Sequence, residues 1–151
     1  MYDLTIHDID LTCSLLGAFP KEVQAFSSVS NEKGIEEQVS VHMDFGNAIV
    51  VNCETSWHSP KKVRKIEILT NKNFWILDLL NNQITQTKDD SPDVVTNIES
   101  SNSLEFEIRD FLSAIAENRF PLVTGEDGYG AVKVAESILT SIRERKLIKI
   151  L

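Results

Sequence analysis

Six strand-like segments joined by short turns restrict the fold of this chain more than any other feature. Period-two alternation or runs of β-branched residues mark these segments, which are 22–30, 36–45, 48–57, 62–69, 74–80 and 83–88. Gly46-Asn47 suits a two-residue hairpin turn between two of them. Because parallel strands need long crossover connections, these short links predict an antiparallel sheet.

Helical patterns lie on both sides of the strands. The first helix is predicted over about Asp3–Leu16, with Gly17 placed to terminate it. A second helix is predicted after a capping box between Asn102 and Glu105, and a third after the cap residue Thr124. The inward face of the second helix is predicted from its apolar residues at helical spacing, which are Ile108, Phe111, Leu112 and Ile115.

The remaining segments complete an α+β fold. Residues 89–102 are polar and predict a surface loop, and residues 147–151 predict a short closing strand. The order of helix, antiparallel strands and two further helices is typical of an open sheet with helices packed on one face.

Length and composition bound the class of protein. At 151 residues the chain has the length of one domain, and it contains no apolar run long enough for a membrane span. Its acidic N-terminus is unlike a secretory signal, and two cysteines do not make a disulfide framework, so a reducing cytoplasm is expected. The net charge of −8 argues against non-specific nucleic-acid binding.

A narrow polar stripe crosses the otherwise apolar first helix. At about 100° per residue, positions 3, 7, 10 and 14 fall within roughly 60° of one another. Asp3, His7, Asp10 and Ser14 occupy them. Because a helix that is apolar on most sides is usually buried, we expect this stripe to face a cleft or a partner.

The pair Asp3 and His7 is a candidate for acid–base chemistry. One helical turn apart, the two side chains project on one face, and a carboxylate beside an imidazole favours the protonated ring. A surface or capping interaction explains the same spacing. A third interpretation is a metal site made of Asp3, His7 and Asp10.

A cationic segment stands out in this acidic chain. The stretch "SPKKVRK" holds Lys61, Lys62, Arg64 and Lys65, and Trp57 comes shortly before it. Such a cluster suits an anion such as a phosphate, with Trp57 stacking on a sugar or base, but a solvated strand end and a core Trp fit equally. The glycines of "GEDGYG" do not match a dinucleotide-binding turn, and the Thr124 cap explains them better.

Two of these segments resemble a known family. The pieces "DLTIHDIDL" and "LEFEIRDFLSAIAENRFPLVTGEDGYGAVKVAESILTSI" resemble the C-terminal domain of the glucose–fructose oxidoreductase/inositol dehydrogenase/MocA-like (Gfo/Idh/MocA) family. The middle piece "TSWHSPKKVRKIEILTNKNFWILDLLNNQI" is similar to the branch of 3-dehydrogenases acting on UDP-activated N-acetyl-hexosamines. The fold implied is the open-faced, dihydrodipicolinate reductase-like C-terminal domain.

The resemblance implies a mechanism and a set of site residues. His7 matches the acid–base position, and Asp3 matches the carboxylate beside it. Substrate contacts are then expected from the remaining candidates, which are Asp10, Trp57, Lys61, Lys62 and Arg64. NAD or NADP would be bound by an N-terminal Rossmann domain, which should precede this chain and is absent from it, so the chain alone is expected to be inactive. A homodimer through the sheet is also expected.

One further alternative stays open from the sequence. The alternative is a non-catalytic dimerisation or sugar-binding module that kept the fold and lost the chemistry. The presence of a Rossmann domain encoded beside it would separate the two interpretations.

Overall fold

The computed structural model describes residues 5–89, 91–100 and 102–150, without the side chain of Val29. Its elements are α1 (Thr5–Leu16), β1 (Glu22–Ser30), β2 (Glu36–Gly46), β3 (Ile49–Ser56), β4 (Lys65–Leu69), β5 (Asn73–Asp78), β6 (Gln83–Lys88), β7 (Val94–Asn97), α2 (Ser103–Glu117), α3 (Gly125–Glu144) and β8 (Ile148–Lys149). They form two compact units, Met1–His58 with Asn118–Leu151, and Ser59–Glu117. The α+β class predicted from the sequence is confirmed, with antiparallel strands throughout.

The first unit is built on an antiparallel sheet in the order β3-β2-β1-β8. Alternate residues of β2 are buried, namely Val39, Val41, Met43 and Phe45, whereas Ser40 and His42 between them are exposed. Successive side chains of a strand point to opposite faces, so this alternation covers one face only. The period-two pattern therefore identified the inner face correctly.

Helices α1 and α3 pack on that inner face. Ile9 and Cys13 of α1 meet Ala131, Val134, Ala135 and Ile138 of α3 in one core with the β1 and β2 side chains. The predicted cap of α3 is confirmed as a capping box, in which the Thr124 hydroxyl accepts from the Asp127 N–H and the Asp127 carboxylate accepts from the Thr124 N–H. The Thr124 N–H and the Thr124 hydroxyl both donate to the Asp127 carboxylate, and these two bonds lower the pKa of its carboxyl. Among the helices of the described ranges, none is both long and apolar enough to cross a membrane.

Two turns depend on left-handed backbone. Gly17 has φ +62° and ends α1 as predicted, with the Ala18 N–H donating to the Cys13 carbonyl at 3.2 Å. The β2–β3 hairpin turns on Asn47 and Ala48, which both have positive φ as a type I′ turn requires. The turn thus lies one residue later than predicted, because Gly46, also at positive φ, ends β2 instead of entering the loop.

The second unit contains a separate antiparallel sheet in the order β4-β5-β6-β7. The sequence predicted one continuous meander, but the hydrogen bonds divide the strands into this sheet and that of the first unit. The predicted loop over 89–102 is wrong in part, because Val94 and Val95 pair with Gln86 and Thr85 as β7. The short β-branched run was hidden by polar neighbours on both sides, as is common for an edge strand.

Helix α2 has the opposite exposure to the one predicted. Its N-terminal cap is half of the predicted capping box, since the Glu105 N–H donates to the Asn102 side chain at 3.4 Å while the Glu105 carboxylate pairs with Arg109. Ala114 is the buried residue, whereas the apolar stripe expected to face inward is exposed at Ile108, Phe111, Leu112 and Ile115. Helical periodicity identifies an apolar face but does not determine what covers it.

Ser141 of α3 forms a hydrogen bond with the backbone of β1 in the first unit. Among the described residues, the ladder between β8 and β1 consists of the pairs at Glu22 and Val23 and does not reach Ala25. There the Ala25 N–H donates to the Ser141 hydroxyl at 2.9 Å, and the same hydroxyl donates to the Lys146 carbonyl at 2.6 Å. Ser141 is fully buried, so these bonds join α3 to the sheet without water.

We expect Ser141→Ala to destabilise the chain by about 1–3 kcal/mol, because it leaves the Ala25 N–H and the Lys146 carbonyl without this partner. Urea unfolding followed by circular dichroism measures the difference. Ser137→Ala is the matched control, since the Ser137 hydroxyl donates to the Lys133 carbonyl of its own helix and no bond joins it to another described element. This substitution should cost no more than about 0.5 kcal/mol. Equal losses for both variants would contradict the bridging role of Ser141.

Candidate functional site at the start of the first helix

The buried stripe of α1 determines which side chains remain accessible. Thr5, Ile9 and Cys13 are buried and lie within about 80° of one another around the helix. His7 lies about 160° away from both Thr5 and Ile9 by the same rotation, and its side chain is exposed. The imidazole is therefore open to a ligand approaching from outside the unit.

A short hydrogen bond fixes the first turn of this helix to the sheet. The Thr5 and Thr55 hydroxyl oxygens are 2.7 Å apart, and the Thr5 side chain is fully buried. Thr55 belongs to β3, whose residues Cys53 and Val51 continue the same inner face toward the other end of the helix. The bond thus ties the segment carrying His7 to the end of β3.

One helical turn further on, an acid and a thiol meet beneath α1. The Cys53 thiol lies 3.9 Å from the Asp8 carboxylate. Burial, followed by the charges of Asp8 and Glu54, raises the pKa of Cys53 to about 12. Burial, with a smaller effect of Asp10, raises the pKa of Cys13 to about 11. Both thiols are free, as the sequence predicted, and neither has the lowered pKa of a nucleophile.

Trp57 is an exposed aromatic residue on a well-anchored backbone. Its N–H donates to the Glu37 carbonyl at 2.9 Å, which extends the β2–β3 ladder by one residue. The next residue, His58, places its ring 2.9 Å from the Glu37 carboxylate, and its N–H donates to the Ser56 hydroxyl. Since the Trp57 side chain is 58% exposed, the core interpretation of this residue is wrong. The indole is available as a stacking surface.

The polar stripe is only partly as predicted. His7 and Ser14 are exposed and Asp10 is half-buried, whereas Asp3 lies outside the described residues. The helix itself is less enclosed than expected, because Leu15 and Leu16 are exposed and just three of its twelve residues are buried. The sequence pattern shows which residues are apolar but not how many neighbours are present to cover them.

The cationic segment belongs to the second unit. Lys61, Lys62 and Arg64 are exposed, and no other described residue forms an ion pair with them. Lys65 differs, because its ammonium lies 3.4 Å from the Asp78 carboxylate. The pKa of Asp78 is lowered first by hydrogen bonds from Asn81 and less by Lys65. Three cations of the predicted cluster thus remain free to meet an anion.

Neither a metal centre nor a dinucleotide turn is found among residues 5–89, 91–100 and 102–150. No group of three or more His, Cys, Asp and Glu side chains there could hold a metal ion. The predicted alternative of a site at Asp3, His7 and Asp10 includes Asp3, which is outside those ranges. In the glycine-rich segment, Gly125 begins the capped helix α3, and Gly130 leaves room for the Phe19 ring, which a Cβ would strike.

Sequence reasoning missed the residues that hold the site together. Thr5 carried a signal, because it lies on the same stripe as Ile9 and Cys13 and a polar residue there needs a buried partner. Nothing in the sequence identified Thr55 or Glu37 as the partners of the two segments. Their pairing depends on the β2–β3 register and on where α1 crosses it.

Comparisons with known proteins find relatives of this chain in sequence and in fold. Residues 1–74 match the model of the GFO/IDH/MocA C-terminal domain. The UDP-N-acetylglucosamine 3-dehydrogenase of Acidithiobacillus ferrooxidans is 28% identical over 149 residues, which cover 93% of this chain and 47% of the relative. A crystal structure of that enzyme superposes with a TM-score of 0.84 at 28% identity, over 93% of this chain and 46% of the enzyme.

Two more distant structures share the fold. The aldose-aldose oxidoreductase of Caulobacter crescentus, in complex with glycerol, has a TM-score of 0.83 at 18% identity over 95% of this chain and 45% of its own. A levoglucosan dehydrogenase in complex with NADH and levoglucosan has a TM-score of 0.84 at 18% identity over 98% of this chain and 49% of its own. The chain spans about half the length of the relatives it matches. Residues 1–74, just under half of the chain, thus match the GFO/IDH/MocA C-terminal domain in sequence, and 93% of the chain shares its fold with the corresponding half of a 28% identical dehydrogenase.

Proposed function

We propose that this chain is the substrate-binding half of an NAD(P)-dependent oxidoreductase that oxidises a hydroxyl of a sugar or sugar nucleotide. The observation that carries the proposal is the exposed His7 side chain, which faces away from the buried stripe of α1. A neutral imidazole open to substrate can take the proton from a hydroxyl as it becomes a carbonyl. In this proposal Asp3 is the neighbouring carboxylate that orients the ring, and Asp10 contacts the substrate.

The cofactor is held elsewhere in this proposal. The glycine-rich segment 125–130 does not fit a dinucleotide, because Gly125 begins the capped helix α3 and the Phe19 ring occupies the space beside Gly130. An N-terminal Rossmann domain would hold NAD or NADP, which supplies the hydride acceptor. A levoglucosan dehydrogenase that shares the fold is in complex with NADH, which supports a nicotinamide cofactor. We also expect the assembled enzyme to be cytoplasmic, where both free thiols stay reduced.

We infer that the substrate is a UDP-activated N-acetyl-hexosamine. Three unpaired cations, Lys61, Lys62 and Arg64, suit a diphosphate, and the exposed Trp57 ring suits a sugar face. The name of the 28% identical relative from Acidithiobacillus ferrooxidans supports the same substrate class.

We expect the 151-residue chain alone to lack dehydrogenase activity and the chain joined to its N-terminal partner to reduce NAD or NADP with a UDP-sugar. In the joined enzyme His7→Ala should lower kcat by about 10²–10⁴-fold, because the hydroxyl proton loses its acceptor. Nicotinamide absorbance measures turnover. Ser14→Ala is the matched control, since Ser14 is exposed on the same stripe two turns away and should leave kcat unchanged.

Two outcomes would contradict the proposal. Sugar oxidation by the isolated chain would show that no second domain is needed. A joined protein that binds NAD but oxidises no sugar would favour the alternative of a non-catalytic binding or dimerisation module.

We expect replacement of Lys61, Lys62 and Arg64 by Gln to raise KM for UDP-N-acetylglucosamine about tenfold or more, because charge-assisted bonds to the diphosphate are lost. The kcat value should change little, since those bonds are present in the ground state and the transition state alike. Lys72→Gln and Lys88→Gln together are the control, because both side chains are exposed cations of the same unit. An unchanged KM in the triple variant would remove these residues from the substrate site.

We further propose that two copies of the chain associate through the sheet. No residue of the β4-β5-β6-β7 sheet is fully buried, and large side chains such as Leu69, Val94 and Val95 are exposed. Uncovered apolar sheet surface favours association.

Sedimentation at tens of micromolar should therefore show a dimer. Leu69→Glu, at an 81% exposed position of this sheet, should weaken it, because a charge is buried on association. Leu122→Glu, at an 85% exposed position of the first unit, is the control and should leave the dimer intact. A monomer for the unmodified chain would exclude the dimer.

A further inference from the structure

Two candidate site residues each lie two positions beyond a threonine, and the two threonines are bonded to each other. His7 follows Thr5 on α1, and Trp57 follows Thr55 at the end of β3. The Thr5 and Thr55 hydroxyl oxygens are 2.7 Å apart. The bond is therefore a joint between the segment that carries the imidazole and the segment that carries the indole.

The hydrogen bond restricts this joint in a way that the apolar contacts do not. Ile9 and Cys13 hold α1 against the sheet by burial, which is non-directional and tolerates sliding and rotation. A hydrogen bond weakens steeply when its distance or angle changes. Because Thr5 is fully buried, no water competes for its hydroxyl. The bond thus fixes both the rotation and the axial position of the first turn of α1.

The Trp57 side of the joint is fixed independently. The Trp57 N–H donates to the Glu37 carbonyl, and the Glu37 carboxylate pairs with the ring of His58. The backbone on which Trp57 stands is thereby held to β2. With this side fixed, the Thr5–Thr55 bond decides where His7 lies relative to Trp57.

The size of the effect is large enough to matter for catalysis. A side chain extends about 5–6 Å from the helix axis, so a rotation of about 20° displaces the His7 ring by about 2 Å. A misplacement of about 1 Å between reacting groups can cost about 10²-fold in rate. Without this bond, α1 would be held to the sheet by core packing and by the weaker contact between the Cys53 thiol and the Asp8 carboxylate, which restrict such a rotation less.

We propose that Thr5 and Thr55 are positioning residues, whose hydrogen bond sets the distance between the His7 imidazole and a sugar ring stacked on Trp57. The inference rests on the proposed function for its substrate, a sugar or sugar nucleotide. It adds two residues that touch neither substrate nor cofactor. They act by placing the base over the hydroxyl of a sugar held on the indole.

Single and double substitutions of Thr5 and Thr55 distinguish a positioning role of the pair from a role in stability. A single Thr→Val change leaves the other hydroxyl buried without this partner, which destabilises the fold, whereas replacing both hydroxyls by methyl groups of the same shape is nearly neutral. Thr5→Val/Thr55→Val therefore removes the directional bond and keeps the packing. Thr5→Ser keeps the hydroxyl and should preserve the placement of α1.

The placement is tested in the 151-residue chain by nuclear magnetic resonance. In Thr5→Val/Thr55→Val we expect residual dipolar couplings to show α1 turned by about 10–20°, and amide exchange in its first turns to quicken about tenfold. Thr5→Ser should match the wild type. Thr140→Val is the control for the Val substitution itself, since the hydrogen bonds that the described residues make to the Thr140 hydroxyl stay within α3: it donates to the Glu136 carbonyl and accepts from the Arg143 guanidinium. An unchanged α1 orientation in the double variant would overturn the inference.

Thr55→Cys provides a second variant if the double Val variant does not fold. The Cys thiol is similar in size to the Thr hydroxyl and forms weaker hydrogen bonds. We therefore expect α1 to turn in the same direction as in the double Val variant, by a smaller angle. Wild-type orientation in Thr55→Cys would also count against the inference.

The joined enzyme provides a readout that stability alone would not change. Thr5→Val/Thr55→Val should lower kcat by about 10–100-fold with KM within about twofold of the wild type, and Thr5→Ser should restore kcat. Unchanged kcat in the double variant would overturn the positioning role. If the joined wild-type protein oxidises no sugar, the proposed function fails, while the resonance measurements on the isolated chain still decide whether the bond places α1.

Discussion

The burial of one face of the β3-β2-β1-β8 sheet by α1 and α3 is the constraint on which the first unit depends. Val39, Val41 and Met43 of β2 are buried in the core that the two helices share with this face of the sheet. Once that face is closed, the direction in which α1 presents His7 is determined by which of its residues face the sheet. The accessible imidazole is thus a consequence of core packing on the opposite side of the helix.

Much of this unit could be predicted from local patterns. Alternation in β2 identified its inner face, and the Thr124 cap and Gly17 fixed helix ends, because each depends on neighbours within a few residues. Val94–Asn97 escaped prediction because a short edge strand among polar residues has no periodic signal. The exposure of the apolar stripe of α2 was not predicted, because helical periodicity identifies an apolar face but not whether another element covers it.

The candidate site likewise contains residues that local sequence predicted and residues that only the structure identified. His7 followed from the helical stripe and from the family resemblance, whereas the exposure of Trp57 required coordinates. The partners Thr55 and Glu37 depend on strand register and on the crossing point of α1, which are properties of the whole sheet. Local sequence therefore identified a candidate for the chemistry, and long-range packing identified the residues that support it.

Cys13 of α1 and Cys53 of β3 determine how the folded protein reacts with oxidants. Sulfenic acid and mixed disulfides form through the thiolate, and burial keeps both sulfurs protonated at neutral pH, with pKa values of about 11 and about 12. Peroxide or oxidised glutathione thus finds almost no reactive sulfur at either position while the fold is intact. The contact surface between α1 and the sheet therefore stays chemically unmodified when the solution around the folded protein becomes oxidising.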